Sequence, residues 1–212
     1  MDFEVIDDVK KKFYSLSEKA KKHLENWKKA PKYGKVIEGT NILPMKTPLM
    51  RKKWTDNLDE ADQFRLEDLI RNFEHDGKKI GVVMDLNFSN NSYYSWRITY
   101  KKNKALLSGV EYRKIKFGTF DDLPDKSSIN KAYDVLNKNF FKNTIIAVHC
   151  TRGVSRTGYA IIYFLCHRMK WKLGDALKKF EEARGCPLKY KPFLEDLKDK
   201  FEDDEFDYLK FQ

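Results

Sequence analysis

Residues 144–158 read Thr144-Ile145-Ile146-Ala147-Val148-His149-Cys150-Thr151-Arg152-Gly153-Val154-Ser155-Arg156-Thr157-Gly158. Thr144 to Val148 is apolar after its first residue and too short for a buried helix, which predicts a central strand covered on both faces. After a tight loop, Arg156 to Met169 reads as a helix. Its stretch from Tyr159 to Cys166 is apolar all round and therefore buried on every side. Between these two elements lie a cysteine, five residues and an arginine.

A strand-to-helix turn of this kind turns the backbone N–H groups of Thr151 to Arg156 inward around one small bowl. The amino terminus of the helix adds positive potential at its centre. The bowl suits a phosphate. Arg156 opens the helix, where a planar guanidinium bonds two phosphate oxygens at once. Cys150 lies beneath, and a helix amino terminus with a neighbouring cation lowers a thiol from about 8.5 to about 3.5–7.5, so the expected nucleophile is a thiolate. Gly153 lets the loop turn without a side-chain clash. The Thr157 hydroxyl is placed to hydrogen-bond the sulfur as it leaves an intermediate. His149 and Cys150, adjacent in an extended chain, face opposite sides of the sheet. With no spaced Cys or His pair to complete four ligands, no zinc site is expected. No Gly-x-x-x-x-Gly-Lys-Ser/Thr loop occurs.

Outward from this centre, elements of the two types alternate. Residues 3–27 read as one or two charged helices through Val9, Phe13, Leu16, Ala20, Leu24 and Trp27, closed by Pro31 and Gly34. Strand-like pieces follow at 35–38 and 42–46 around the Gly39-Thr40 turn, then a helix with Leu66, Leu69, Ile70 and Phe73 on one face. A strand is expected at 80–86, a polar aromatic stretch at 87–100, a strand at 113–117, and a helix carrying Ile129, Ala132, Leu136 and Phe140. Two amphipathic helices close the chain, one through Leu173, Ala176, Leu177 and Phe180, the other from Pro192. This alternation predicts an α/β fold, a central mostly parallel sheet flanked by helices. The acidic run at 202–207 reads as a tail.

The 212 residues are 41% hydrophobic with three cysteines, which fits one domain with its own core and excludes a disulfide framework. Reduced thiols imply an intracellular home. The acidic first residues argue against a secretory signal, and the longest apolar run is far short of a membrane span. A net charge of +10 favours a polyanionic partner, without choosing among nucleic acid, anionic lipid and acidic substrate.

At residues 149–158 the sequence resembles the cysteine-dependent phosphatases of dual-specificity type, whose signature is His-Cys-x5-Arg-Thr-Gly. It is most similar to their RNA 5′-triphosphatase branch, that of the metazoan capping enzyme's phosphatase half and the free-standing RNA/RNP-complex-interacting phosphatases. Gly39 to Leu49, Gly81 to Leu86, and Ala183-Arg184-Gly185-Cys186 with Tyr190 and Leu194 to Leu197 carry the narrower match. The resemblance runs from about Trp27 to Phe201. It divides the chain into an N-terminal helical extension (1–26), a phosphatase domain (27–201) and the acidic tail (202–212). That branch usually has His and Asn where this chain has Arg152 and Ser155. Residues 101–110 look like an insertion, and the Lys-x-Asp-Gly motif of nucleotidyl transfer is absent, so this chain should not add a cap.

The resemblance implies a metal-independent polynucleotide 5′-phosphatase without cofactor. Cys150 would attack the terminal phosphorus of 5′-triphosphorylated RNA, held by Arg156 and by His149, Thr151, Arg152, Gly153, Val154, Ser155 and Thr157. Two rounds would leave a 5′-monophosphate. Protein phosphatases of this class place a general acid about thirty residues before the cysteine. Asp121, Asp122 and Asp125 are the candidates here, and Asp125 reads equally well as a cap of the helix near Ser127. Asp85 is carried over as a site carboxylate, its alternative role being to orient loop amides. Arg184 falls where the family offers a second phosphate-binding cation, the alternative being a helix carboxyl end. Tyr93, Tyr94, Trp96 and Arg97, and Trp27 to Lys35, suit either base stacking or packing. RNA-processing or ribonucleoprotein partners, a nuclear or cytoplasmic location and no membrane are expected. A dual-specificity protein phosphatase, an inositol-lipid phosphatase and a non-catalytic 5′-phosphate RNA-binding module remain open.

Overall fold

A computed structural model describes residues 16–49, 52–89, 95–119 and 122–201 of the chain. Four strands, β1 (Ile42–Lys46), β2 (Ile80–Asp85), β3 (Glu111–Lys114) and β4 (Ile145–Cys150), form a fully parallel sheet in the order β1-β4-β2-β3. The apolar run before Cys150 is thus an inner strand, as its composition predicts. It pairs with β1 from Ile42–Ile146 to Lys46–Cys150, and with β2 up to Asp85–His149.

Helices cover both faces. On one side Ile146, Val148 and Cys150 pack against α5 (Lys126–Asn139), α6 (Ser155–Met169), α7 (Leu173–Arg184) and α8 (Lys191–Phe201). On the other, Ile145, Ala147, Leu43 and Val83 meet α1 (Glu18–Lys28), Trp54 of the short α2 (Lys52–Thr55) and α3 (Leu66–His75). Alternate residues of β4 face opposite cores, which explains why the strand shows no polar alternation. Helix α1 runs across position 26, and Leu16, Leu24 and Trp27 lie in the second core. The described part of the extension therefore packs with the sheet.

Three elements differ from the sequence reading. Residues 35–38 are not a strand. Gly34 and Ile37 donate N–H bonds to Pro44 and Ile42 of β1, but Lys35 between them donates to Ala183, so this segment's amides are divided between β1 and the end of α7. The strand expected at 113–117 is β3 at 111–114. The aromatic stretch at 87–100 ends in a helix, α4 (Trp96–Lys102), stabilised by packing rather than propensity. Trp96 stacks on Tyr112 with centroids 4.9 Å apart, and Leu107 beyond it is buried.

Candidate active site

The loop between β4 and α6 places Cys150 at the strand's end and Arg156 in the first turn of the helix. Cys150 is 4% exposed. Burial alone would raise its thiol. The Arg156 charge, the Thr157 hydroxyl and the main-chain N–H groups of Thr157 and Gly153 outweigh it and hold the group below the ordinary thiol value. Val154, at the N-cap of α6, supplies no side-chain bond to the helix amides, which leaves that end without the usual Ser, Thr or Asp cap. Gly153 has φ +69°, and a Cβ there would stand 2.0 Å from the Met45 carbonyl oxygen. The loop and β1 approach this closely only because position 153 has no side chain.

A buried polar network sets the Arg156 guanidinium. Its Nη1 donates to the Leu86 carbonyl oxygen at 3.3 Å, and its Nη2 to Thr151 Oγ1 at 3.3 Å. The Thr151 hydroxyl in turn donates to Asn87 Oδ1 at 2.9 Å. Asn87 donates from Nδ2 and from its backbone N–H to Asp85 Oδ1. Asp85 Oδ2 accepts from the Tyr112 hydroxyl at 2.7 Å and from Lys114 Nζ at 2.9 Å. Burial opposes ionisation of Asp85, but Lys114, Tyr112 and Asn87 together hold its carboxyl below the usual range. His149 is fully buried with Nδ1 3.8 Å from Asp85 Oδ1. Burial pushes this imidazole down, towards the neutral form.

Asp85 is engaged by Asn87, Tyr112 and Lys114 rather than by an amide of the Cys150 loop. A carboxylate already accepting from three side chains and a backbone amide fixes Asn87, and through it Thr151 and Arg156. Asn87, Tyr112 and Lys114 are functional neighbours that the sequence reading missed. An Asp two residues before an Asn at a strand end is the signal that marked Asn87.

Two of the three guanidinium nitrogens of Arg184 are held by backbone carbonyls. Its side chain is 1% exposed, and it donates to the Gly153 carbonyl oxygen at 2.9 Å, to Arg152 at 2.6 Å and to Pro31 at 2.9 Å. These bonds draw the loop carbonyls outward, the arrangement needed if the amides are to point inward. Gly185 at the αL position ends α7, so Arg184, in its last turn, reaches the loop from behind.

Asp125 is also corrected. Its side chain accepts the Ser128 N–H at 2.7 Å as the N-cap of α5, and that bond chiefly lowers its pKa. A carboxyl stabilised as the anion and facing solvent is a poor acid. Asp122 accepts from the Thr119 hydroxyl, and Thr119 lines the catalytic cavity. Asp121, Tyr93 and Tyr94 lie outside the described residues. Trp96 is engaged by Tyr112, and Trp27 is buried with its indole N–H donating to the Thr47 carbonyl oxygen at 2.9 Å. For both, packing is the reading that holds.

The cavity over Cys150 has a volume of about 670 Å³ and is lined by Arg156, Ser155, Tyr190 and the cations Lys29, Arg152 and Lys189. These three lysine and arginine side chains are exposed at its rim. Lys46, paired with Cys150 across the sheet, is turned away to donate to the Ala30 and Trp27 carbonyl oxygens at the end of α1. Burial, with repulsion from Arg184 and Lys32, lowers its pKa to about 8.

Comparison with known proteins places these features in context. The description "Dual specificity phosphatase, catalytic domain" matches residues 73–203. The RNA/RNP complex-1-interacting phosphatase of Bos taurus is 28% identical over 91% of this chain and 56% of its own, so the chain spans little over half the length of that relative. A tyrosine-protein phosphatase of Autographa californica nuclear polyhedrosis virus is 28% identical over 81% of this chain and 96% of its own. The crystal structure of Tk-PTP in its active form superposes with a TM-score of 0.56 at 18% identity, covering 81% of this chain and 97% of that one. Among the described residues no helix is long and apolar enough to cross a membrane.

Proposed function

The chain belongs to the dual-specificity phosphatase catalytic-domain family and is a cysteine phosphatase, and within that family we propose that it removes the γ and β phosphates of 5′-triphosphorylated RNA. The observation that carries this reading is the ring of Lys29, Arg152 and Lys189 around a 670 Å³ cavity whose floor holds Cys150 and Arg156. A phosphomonoester on a protein brings one dianion, which Arg156 and the loop amides can match alone. A triphosphate end continues as a polyanion beyond its terminal phosphate, and the rim cations answer that extension. The names of relatives such as the bovine RNA/RNP complex-1-interacting phosphatase agree with it.

In the reaction, the Cys150 thiolate forms a sulfur–phosphorus bond in line with the bond that breaks, between the γ phosphorus and the bridging oxygen. That oxygen departs on the diphosphate-ended RNA. Arg156 and the loop amides hold the three equatorial oxygens, where preorganised charge does most of the work. The leaving phosphate has its second ionisation at about 6 and needs no donated proton. Water then cleaves the cysteinyl phosphate, releasing inorganic phosphate and the thiolate. A second round on the diphosphate leaves a 5′-monophosphate.

A protein phosphatase is the second reading, favoured by Asp122. Through Thr119 it borders the cavity, where it would protonate a leaving tyrosine, serine or threonine oxygen. Turnover of triphosphate RNA, a phosphotyrosine peptide and inositol-phospholipid vesicles, each in chelator, separates the readings. Phosphate release fastest from RNA, abolished in Cys150→Ser, is the expected result, and preferential turnover of peptide or lipid would overturn it.

A further inference from the structure

The loop that follows β2 holds an aromatic ring out of the protein while fastening both of its neighbours. Asn87 is buried and bonded to Asp85, Thr47 and Thr151. The Ser89 carbonyl oxygen accepts from Lys114 Nζ at 3.0 Å. Phe88 between them is 50% exposed, with Lys116 Nζ 6.0 Å from its ring centroid. A single exposed phenylalanine is ordinary on a protein surface. This one lines a groove of about 630 Å³ whose opposite wall is helix α1, through Lys19, Ala20 and His23. The groove shares Thr119, Thr151 and Arg156 with the catalytic cavity, so the two spaces meet at the phosphate-binding arginine.

We propose that the groove between Phe88 and α1 is the subsite for the 5′-terminal nucleoside of the RNA, its base stacked on the Phe88 ring and the next phosphate beside Lys19. The inference rests on the RNA reading above. A ligand with its terminal phosphate over Cys150 reaches the groove past Arg156 without leaving the surface. The groove's volume fits one nucleotide within the usual range of small-ligand sites. None of its described lining residues is acidic, whereas Lys19 and Arg156 are basic, which favours a polyanion over a peptide of mixed charge. Stacking on a fixed ring is tolerant of base identity, so the subsite accepts any first nucleotide. Because Asn87 also sets Thr151 and Arg156, the backbone that carries the ring is fixed relative to the phosphate site, which limits the ordering to be done on binding.

The test measures, in chelator, binding of a 5′-triphosphate oligoribonucleotide and of inorganic tripolyphosphate to Cys150→Ser and to the same protein carrying Phe88→Ala. Phe88→Ala is expected to weaken the oligonucleotide about ten-fold more than tripolyphosphate, and Phe88→Trp to restore it. Lys19→Glu, an exposed substitution on α1, is expected to weaken the oligonucleotide several-fold more than tripolyphosphate even where the Phe88 variant folds poorly. Equal losses for both ligands, or no loss for the oligonucleotide, overturn the subsite. Wild-type turnover is measured beside it: RNA hydrolysed without this discrimination overturns the subsite alone, while peptide hydrolysed in place of RNA overturns the RNA reading and the subsite with it.

Discussion

Arg184 donates to the Gly153 carbonyl oxygen at 2.9 Å, joining the end of α7 to the middle of the loop that follows Cys150. A guanidinium reaches three carbonyls at once, here those of Gly153, Arg152 and Pro31, and an ammonium cannot reproduce that fork. Arg184→Lys is expected to keep the helical content seen by circular dichroism while kcat/KM falls about 10- to 100-fold, the loss appropriate to charge-assisted bonds. A variant with wild-type kcat/KM would show that the loop holds its shape without this brace.

Thr157 supports the sulfur anion, so its loss must move ionisation upward. The Cys150 group lies below the ordinary thiol value because Arg156, the Thr157 hydroxyl and two backbone amides stabilise the thiolate against burial. In Thr157→Val the anion loses one donor, and the midpoint of the pH profile for iodoacetamide alkylation is expected to rise by about one pH unit. An unmoved or lowered midpoint would remove Thr157 from the account. Alkylation is the cleaner measure, since substrate phosphate does not titrate in it.

Asp125 separates a cap from a catalyst. Asp125→Ala is expected to lower the midpoint of urea unfolding, as loss of a cap does, with turnover within two-fold of wild type. A hundred-fold fall in kcat with unchanged stability would restore it as the acid.

Gly153→Ala tests the close approach of the loop to β1. The added carbon would overlap the Met45 carbonyl group, at a φ of +69° that an alanine adopts only at a cost. Alkylation of Cys150 at neutral pH is expected to slow at least ten-fold, with thermal stability also reduced.

The sequence exposes local order and hides distant contacts. The strand, loop and helix around Cys150 were legible because an apolar run, a turn and a second apolar run lie consecutively, and their roles follow from that order. The Asn87–Thr151 bond joins residues 64 positions apart, and neither carries a local mark of the other. Arg184 was legible as a cation near the site, but whether it meets phosphate or the loop's carbonyls depends on the direction in which α7 arrives. Helix α4 escaped notice because Trp96, Ile98, Thr99 and Tyr100 are poor helix formers. What holds that helix is Tyr112, on a strand further along the chain.

The strand order β1-β4-β2-β3 also fixes when the protein becomes competent during synthesis. β1 has no sheet partner until β4 emerges, because β4 must slide into the slot between β1 and β2, and Arg184 follows later still. A nascent chain on the ribosome thus carries an open, apolar gap for much of its translation, a state vulnerable to mispairing and suited to chaperone protection. Insertion of the Cys150 strand closes the gap, so Cys150 reaches its place and the sheet is completed in a single event.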